Sequence, residues 1–247
     1  MATKIKKNQL ISNFRVIECL PESNGGMAYI VKAQNIKNSD IVALKISKSS
    51  EFNDFNINAL KAEVRILQIL SHPGIVRIYP IQSDIGKKVY MERAVELKGS
   101  PWFFIMEYLE GGSVGDLIKK NKTLSEEETG AILYRVIDTL EYIHNSGYAH
   151  NDIKASNILF RHALGNNRPF EPVLIDFGIT SRKDRVQTDA GSLFYMAPEQ
   201  LQEMREQRPP EIKIDYSKVD VYAIGVLLYR MLAGKLPLSG KSETGIT

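Results

Sequence analysis

The sequence predicts an α+β fold in which a strand-rich first part precedes a mainly helical second part. Three observations support this prediction. The first 50 residues are rich in branched apolar residues at strand spacing, the following segment changes to helical spacing, and the chain after Gly111 is dominated by helical patterns. The join between the two parts is short and contains paired glycines, and such joins often form ligand clefts.

The strands of the first part are predicted from apolar runs bounded by turn residues. They cover NFRVIECL (13–20), MAYIVKAQ (27–34), DIVALKIS (40–47), GIVRIYPI (74–81) and PWFFIMEY (101–108). The turn pattern PESNGG separates the first two of them.

Helices are predicted where apolar residues recur three or four positions apart. In NALKAEVRILQILSH (58–72) these residues are Leu60, Val64, Leu67 and Leu70. The segment 125–147 has a serine cap, an acidic first turn and a glycine stop. A third helix is predicted over 217–233, and its apolar stretch is too short to span a bilayer.

Three further stretches lack a strand or helix pattern. They are polar, basic or proline-bearing and cover 83–100, 161–171 and 201–213. We expect all three to be surface loops.

The composition is that of an ordinary globular protein, with 247 residues of which 43% are hydrophobic and 25% are charged. The net charge of +3 does not indicate a nucleic-acid or membrane partner. The N-terminus lacks the apolar run of a signal peptide, so a cytoplasmic location is expected for this segment. The only cysteine, Cys19, excludes an intrachain disulfide and is expected to be a small apolar core residue.

The polar run HNDIKASNIL (150–159) contains the first candidate site residues. Asp152, Lys154 and Asn157 place one carboxylate, one ammonium group and one amide within six residues. A second acidic residue, Asp176, follows an apolar strand pattern in LIDFGI.

A lysine in an apolar strand is the next candidate. Lys45 ends VALK (42–45) inside a predicted strand, and its neighbours in that strand are apolar. A buried ammonium group is costly unless it is paired. Glu63, in the predicted helix that follows, is an available partner.

These segments occur in a defined order along the chain. The order is a glycine-containing turn, VALK, a helix glutamate, HNDIKASN, DFG, GSLFYMAPE (191–199) and DVYAIG (220–225). In this order they resemble the eukaryotic-type (Hanks-type) serine/threonine protein kinase family. The resemblance runs from about residue 14 to residue 240, which is nearly the whole chain.

The resemblance implies a bilobal protein-kinase-like fold in a single domain over 1–247. The strand-rich N-terminal lobe would cover about 10–107, the hinge 107–112 and the mainly helical C-terminal lobe about 113–247, with ATP between the lobes. The family continues for several helices beyond the one predicted at 217–233. The C-terminal lobe is therefore expected to be truncated, and its exposed apolar surface would allow self-association.

For phosphoryl transfer a protein mainly has to position the reacting groups and stabilise their charge. The resemblance implies that Asp152 accepts or orients the proton of the substrate hydroxyl and that Lys154 offsets the charge of the transferring group. It also implies that Lys45, held by Glu63, binds the α- and β-phosphates of ATP.

The resemblance also implies two sets of binding residues. Asn157 and Asp176 are the expected ligands of Mg²⁺, for which Mn²⁺ is an alternative. The residues expected to bind the nucleotide are Gly25, Gly26, Ile30, Ala43, Lys45, Met106, Glu107, Leu109 and Leu159.

The sequence departs from the family at three positions that matter for function. In the glycine loop (23–28) only the middle glycine of G-x-G-x-x-G, Gly25, is kept, and nucleotide affinity depends on this loop. Asn151 stands where most regulated members carry arginine, which implies activity without an activation-loop phosphate. Ala155 replaces the usual proline.

Three functions are compatible with these residues. The first is transfer of the γ-phosphoryl group of ATP to Ser/Thr hydroxyls of proteins, because Lys154 two residues after Asp152 is typical of serine/threonine kinases. The second is a catalytically weak kinase-fold scaffold (a pseudokinase), which the poor glycine loop favours. The third is a small-molecule phosphotransferase, against which Lys154 and the APE segment argue. The expected partner is a protein substrate, with no nucleic acid and no membrane segment in this chain.

Overall fold

The chain folds into two compact units in the computed structural model. The structure describes residues 5–20, 28–48, 54–82, 86–165, 168–178, 193–206 and 214–238. The first unit comprises Met1–Ser71 and Val76–Tyr108, and the second comprises His72–Ile75 and Leu109–Thr247. The α+β class predicted from the sequence is confirmed, since strands dominate the first unit and helices the second.

An antiparallel sheet forms most of the first unit. Its strands are β1 (Leu10–Ile11), β2 (Phe14–Cys19), β3 (Ala28–Asn35), β4 (Ile41–Ser47), β5 (Ile78–Tyr79), β8 (Glu92–Arg93) and β9 (Trp102–Glu107), and a separate pair is formed by β6 (Ile81–Gln82) and β7 (Lys88–Val89). The strands of the sheet pair in the order β1-β2-β3-β4-β9-β5, and β8 also pairs with β9. The turn pattern at 21–26 lies outside the described residues.

The core of the first unit lies on one face of this sheet. Val31, Leu44, Ile46 and Phe103 project into it and have no solvent exposure. Alternate residues of a strand point to opposite faces, so the intervening positions face the other side. Burying this apolar face stabilises the sheet and fixes its register, because a slip of one residue would expose the whole set.

The segment expected to be a surface loop at 83–100 is partly a core element, so that expectation is wrong for its described residues. Ala94 and Leu97 are buried in the core of the sheet, with exposures of 0% and 4%. Glu96 accepts a hydrogen bond from the backbone N–H of Ser12 at 2.9 Å. The polar and basic composition concealed these two apolar anchors.

Cys19 is exposed, so its expected place in the core is wrong. Phe14 and Val16 are the buried residues of β2, and the pairing with β3 shifts register between Val16 and Glu18. The strand therefore leaves the core before it reaches Cys19. Alternation along the sequence alone does not reveal such a shift.

One helix belongs to the first unit. Helix α1 (Asp54–Ile69) begins four residues before the predicted segment and ends three residues before its end. Its buried positions, Leu60, Val64 and Leu67, recur at helical spacing as the sequence predicted. Glu63 lies among them with an exposure of only 2%.

The second unit is mainly helical. Its helices are α2 (Val114–Asn121), α3 (Glu126–Asn145), α4 (Pro198–Glu206) and α5 (Tyr216–Ala233), and its strands β10 (Ile158–Phe160) and β11 (Pro172–Leu174) form a hairpin. Ser125 and Glu128 form a capping box at the start of α3. Helix α4 includes 201–206, so the loop expected there is wrong for those residues. No described helix has both the length and the apolar character to cross a bilayer.

A short segment, His72–Ile75, follows α1 along the chain but belongs to the second unit. Ile75 forms an isolated parallel β-bridge with Leu174, and the backbone oxygen of Gly74 accepts a hydrogen bond from Leu174 N–H at 2.8 Å. The strand predicted over 74–81 is therefore interrupted, and only its later residues enter the first unit's strands.

Gly74 is expected to be intolerant of a side chain. A Cβ atom there would collide with the hydroxyl of Thr139 on α3. We expect Gly74→Ala to lower the free energy of unfolding by about 2 kcal/mol through overpacking. Chemical denaturation measures this change.

Gly130, also on α3, is the matched control, because a Cβ there meets nothing within 4 Å. Gly130→Ala is expected to stabilise the protein by roughly 0.5–1 kcal/mol through helix propensity. Equal effects of the two substitutions would show that the close approach at Gly74 is not tight.

Candidate active site

One face of the first unit's sheet carries most of the residues expected to bind the nucleotide in that unit. Ile30 lies opposite Lys45 across β3 and β4, and Ala43 lies opposite Met106 across β4 and β9. Directly opposed residues of antiparallel strands share a face, so these four side chains form a continuous patch. The core described above occupies the other face.

Lys45 is held by a buried carboxylate. Its Nζ lies 2.7 Å from both Oε1 and Oε2 of Glu63. The side chains of Lys45 and Glu63 are only 12% and 3% exposed. Each charge compensates the desolvation of the other, and this bidentate contact fixes the position of the ammonium group.

The end of β9 is fixed by an arginine that the sequence reasoning did not single out. Arg77 donates to the carboxylate of Glu107 from its backbone N–H at 2.9 Å and from Nη2 at 3.1 Å. The backbone N–H of Glu107 in turn donates to Arg77 O at 2.9 Å. Hydrogen bonding to Glu107 raises the pKa of Arg77. The position of Arg77 within an apolar strand pattern was the available indication.

The loop around Asp152 brings three predicted residues together in the second unit. Lys154 Nζ lies 3.0 Å from Asp152 Oδ2. Asn157 Nδ2 donates to the same oxygen at 2.8 Å and to Asp152 O at 2.9 Å. Asp152 and Asn157 are both buried, with exposures of 9% and 5%. The spacing of two and three residues thus folds into a compact turn that fixes the carboxylate.

Burial raises the pKa of the Asp152 carboxyl above its usual range. The ammonium group of Lys154 opposes this shift, and the nearby carboxylate of Asp176 adds to it. A carboxyl with a raised pKa is better suited to accept a proton than one at the protein surface.

The β10–β11 hairpin sets Asn157 and Asp176 at the same end. Ile158 pairs with Leu174, and Ile175 N–H donates to Asn157 O at 3.0 Å. Asp176 follows immediately and adopts a left-handed backbone, with φ of 68°. Aspartate tolerates this region better than most residues. The hairpin therefore places an amide and a carboxylate close together.

A buried carboxylate from α5 holds the segment that precedes Asp152. Asp220 is fully buried and accepts hydrogen bonds from the backbone N–H groups of His150 and Asn151, each at 2.8 Å. Its Oδ2 also lies 2.8 Å from His144 Nε2. The contact lets Asn151 keep a left-handed φ of 67°, a conformation that asparagine adopts readily.

His150 is buried inside the second unit. Its ring is fully buried, with Nε2 3.0 Å from Ile175 O and the ring centroid 4.7 Å from that of Phe177. These contacts connect the loop before Asp152 to the segment around Asp176.

The remaining predicted residues fall in different parts of the chain. Leu109 is buried and Leu159 is half-buried, both in the second unit. Gly111 nearby is needed for packing, because a Cβ there would collide with Phe160. Gly25 and Gly26 lie outside the described residues.

Comparison with known proteins decides the family. The sequence model described as protein kinase domain matches residues 23–247. The chain belongs to the protein kinase domain family. The resemblance inferred from the ordered motifs is thereby confirmed.

Two curated relatives of this protein kinase domain are themselves named as kinases. The chain is 30% identical over 235 residues to maternal embryonic leucine zipper kinase of Danio rerio, covering 93% of this chain and 30% of that protein. It is 29% identical over 225 residues to calcium-dependent protein kinase 5 of Plasmodium berghei (strain Anka), covering 90% of this chain and 35% of that protein. The chain thus spans about a third of the length of these curated relatives.

Proposed function

We propose that this protein kinase domain transfers the γ-phosphoryl group of ATP to Ser/Thr hydroxyls of proteins. The observation that carries the proposal is the buried Asp152 carboxylate held by Lys154 at 3.0 Å and by Asn157 at 2.8 Å. Phosphoryl transfer needs an oriented acceptor, a compensating cation and a metal ligand. Asp152 would orient the acceptor, Lys154 would be the cation and Asn157 would be the metal ligand.

Asp152 orients the acceptor hydroxyl and takes its proton as the oxygen–phosphorus bond forms. Its raised pKa supports this role, because the carboxylate is a stronger base than an exposed one. Lys154 stabilises the charge of the phosphoryl group next to that carboxylate. Asp220 holds the loop through the backbone of His150 and Asn151 and so keeps Asp152 in place.

Asn157 and Asp176 are proposed to bind Mg²⁺ together with the phosphates. The fit rests on the amide of Asn157, whose nitrogen donates twice to Asp152, so that its oxygen is directed away from that residue. An amide oxygen and a carboxylate suit a hard cation that keeps water and phosphate ligands, and Mn²⁺ has similar preferences. The metal, when bound, would neutralise phosphate charge.

Lys45 is proposed to bind the α- and β-phosphates, with Glu63 holding its ammonium group. Ile30, Ala43 and Met106 form the apolar patch next to it, which suits the face of a purine. The N–H of Glu107 is already bonded to Arg77 O, so a contact of this residue to the adenine edge would use its carbonyl.

Serine/threonine specificity is supported by Lys154, because a lysine two residues after the aspartate is typical of serine/threonine kinases. An assay of acceptor class tests the proposal. The full chain is incubated with γ-labelled ATP and Mg²⁺, together with a general protein substrate or with a panel of small hydroxylated acceptors. We expect label on the protein, and we expect hydrolysis of the product to yield phosphoserine and phosphothreonine.

Two controls make the result specific. Chelation of the divalent metal should abolish labelling, and added Mn²⁺ should restore part of it. If only the small hydroxylated acceptors carry label, the proposal is wrong and the activity is small-molecule phosphotransfer. Nucleotide binding without labelling of any acceptor would favour a scaffold role.

A further inference from the structure

An arginine on α5 lies close to the loop that contains Asp152. Arg230 is partly exposed, and its Nη1 donates to Tyr195 Oη at 2.7 Å. Within the described ranges no carboxylate forms an ion pair with it. Its helix neighbours one turn away are Val226, Leu227, Ala233 and Gly234. None of them is acidic, so α5 itself does not neutralise the guanidinium group.

Tyr195 connects Arg230 to the residues that carry the proposed chemistry. Its ring is buried, with an exposure of 5%, and its hydroxyl also lies 3.5 Å from the backbone nitrogen of Ala155. A proline at this position would have no N–H to donate. One hydroxyl oxygen therefore bridges the backbone next to Lys154 and the guanidinium group of Arg230.

This placement bears on the sequence around the acceptor residue. A serine or threonine that reaches Asp152 brings its flanking residues past the same loop. Two or three extended residues span about 7–10 Å. The guanidinium group is connected to the backbone of Ala155, three residues after Asp152, through contacts of 2.7 Å and 3.5 Å to one hydroxyl. We therefore expect residues that flank the acceptor to pass within reach of it.

A partly buried arginine favours a planar anionic partner. Its remaining N–H groups can bind a carboxylate in a bidentate arrangement, and such a pair is stronger when it is partly desolvated. A basic residue at the same place would meet like charge.

We propose that Arg230 is a specificity-determining residue that selects acceptor sites with an acidic residue within three positions of the Ser/Thr. This inference rests on the proposed function, because it assigns a substrate preference to the same site. The partner is an acidic side chain of the substrate.

A set of matched peptides tests the inference. Each has one serine and carries Glu, Gln or Lys in turn at each position within three residues of it. We expect one or two positions at which Glu raises kcat/KM about tenfold over Gln, while Lys lowers it. Arg230→Gln should remove the preference, Arg230→Glu should reverse it, and Arg230→Lys should retain part of it. Arg135→Gln on the exposed surface of α3 makes the same charge change away from the site and should leave the preference intact.

Two outcomes overturn the inference. One is equal rates for the Glu and Gln peptides with the wild-type protein. The other is an equal loss of activity towards all peptides in Arg230→Gln, which would indicate a purely structural role. Thermal denaturation of each variant identifies a folding defect, and Arg230→Lys remains informative if Arg230→Gln fails to fold.

Binding separates this inference from the proposed function. Fluorescence anisotropy is measured with peptides in which the serine is replaced by alanine, so no transfer is needed. The acidic peptide should bind about tenfold more tightly to the wild type than to Arg230→Gln. Phosphorylation without acidic preference would leave the proposed function standing, whereas acidic preference in binding without phosphorylation would remove the proposed function only.

Discussion

Replacement of Asp152 by asparagine is expected to lower kcat for protein phosphorylation by about a thousandfold, which lies within the usual range for loss of a general base. The asparagine keeps the shape of the side chain and can still accept the hydrogen bond from Asn157 Nδ2. It cannot take a proton. Steady-state kinetics with a protein substrate measure the loss, and nucleotide affinity should change little.

Protonation of Asp152 should have the same effect as this substitution. Burial raises the pKa of the carboxyl, so activity should fall as the pH is lowered through that raised value. The pH profile of kcat/KM should show this loss of activity at low pH. If Lys154→Met also loses activity at low pH, the group that titrates is Asp152 and not the lysine. Substantial activity in Asp152→Asn would contradict the assigned role.

The same substitution should not weaken the fold. A raised folded pKa favours the protonated form, and that contribution to stability is lost as the pH rises through the folded pKa. Ionised Asp152 is therefore a cost at neutral pH. Asp152→Asn should have a thermal midpoint at pH 7 that equals or exceeds that of the wild type, a balance often seen at active sites.

In contrast to Asp152→Asn, loss of one partner of the buried Lys45–Glu63 pair in the first unit should destabilise the fold. Glu63→Ala leaves the ammonium group of Lys45 largely buried without the carboxylate that lies 2.7 Å from it. Removal of one partner of such a pair typically costs about 3 kcal/mol or more in the free energy of unfolding. Activity should fall as well, because the position of the ammonium group is no longer fixed.

A double substitution separates stability from activity. Lys45→Met combined with Glu63→Leu replaces both charges by apolar groups of similar volume, and such replacements are often neutral or stabilising. Chemical denaturation should show stability recovered relative to Glu63→Ala, while phosphoryl transfer stays absent. Recovery of activity together with stability would show that Lys45 serves only the fold.

Much of this arrangement could be predicted from the sequence, because local patterns determine it. Lys45 lies inside a largely apolar strand and therefore requires a buried partner, and Glu63 lies among the buried positions of α1. Asp152, Lys154 and Asn157 are so close in sequence that a single turn brings them into contact. Capping residues predicted the bounds of α3 closely.

Other features depend on long-range packing and could not be predicted from local patterns. The exposure of Cys19 follows from a register shift in β2, and the burial of Ala94 and Leu97 follows from contacts with distant strands. Arg77 is a polar residue within an apolar strand pattern, and nothing in the local sequence indicates that it binds Glu107, 30 residues away. Such contacts join residues distant in the chain, so no local period reveals them.

Transfer of label from γ-labelled ATP to a serine-containing protein, by wild-type protein and Asp152→Asn in parallel, tests the central claim most directly. Nucleotide binding is measured on the same samples. The arrangement around Asp152 predicts that both proteins bind nucleotide and that only the wild type transfers label in the presence of Mg²⁺. Equal transfer by the two proteins would contradict the account.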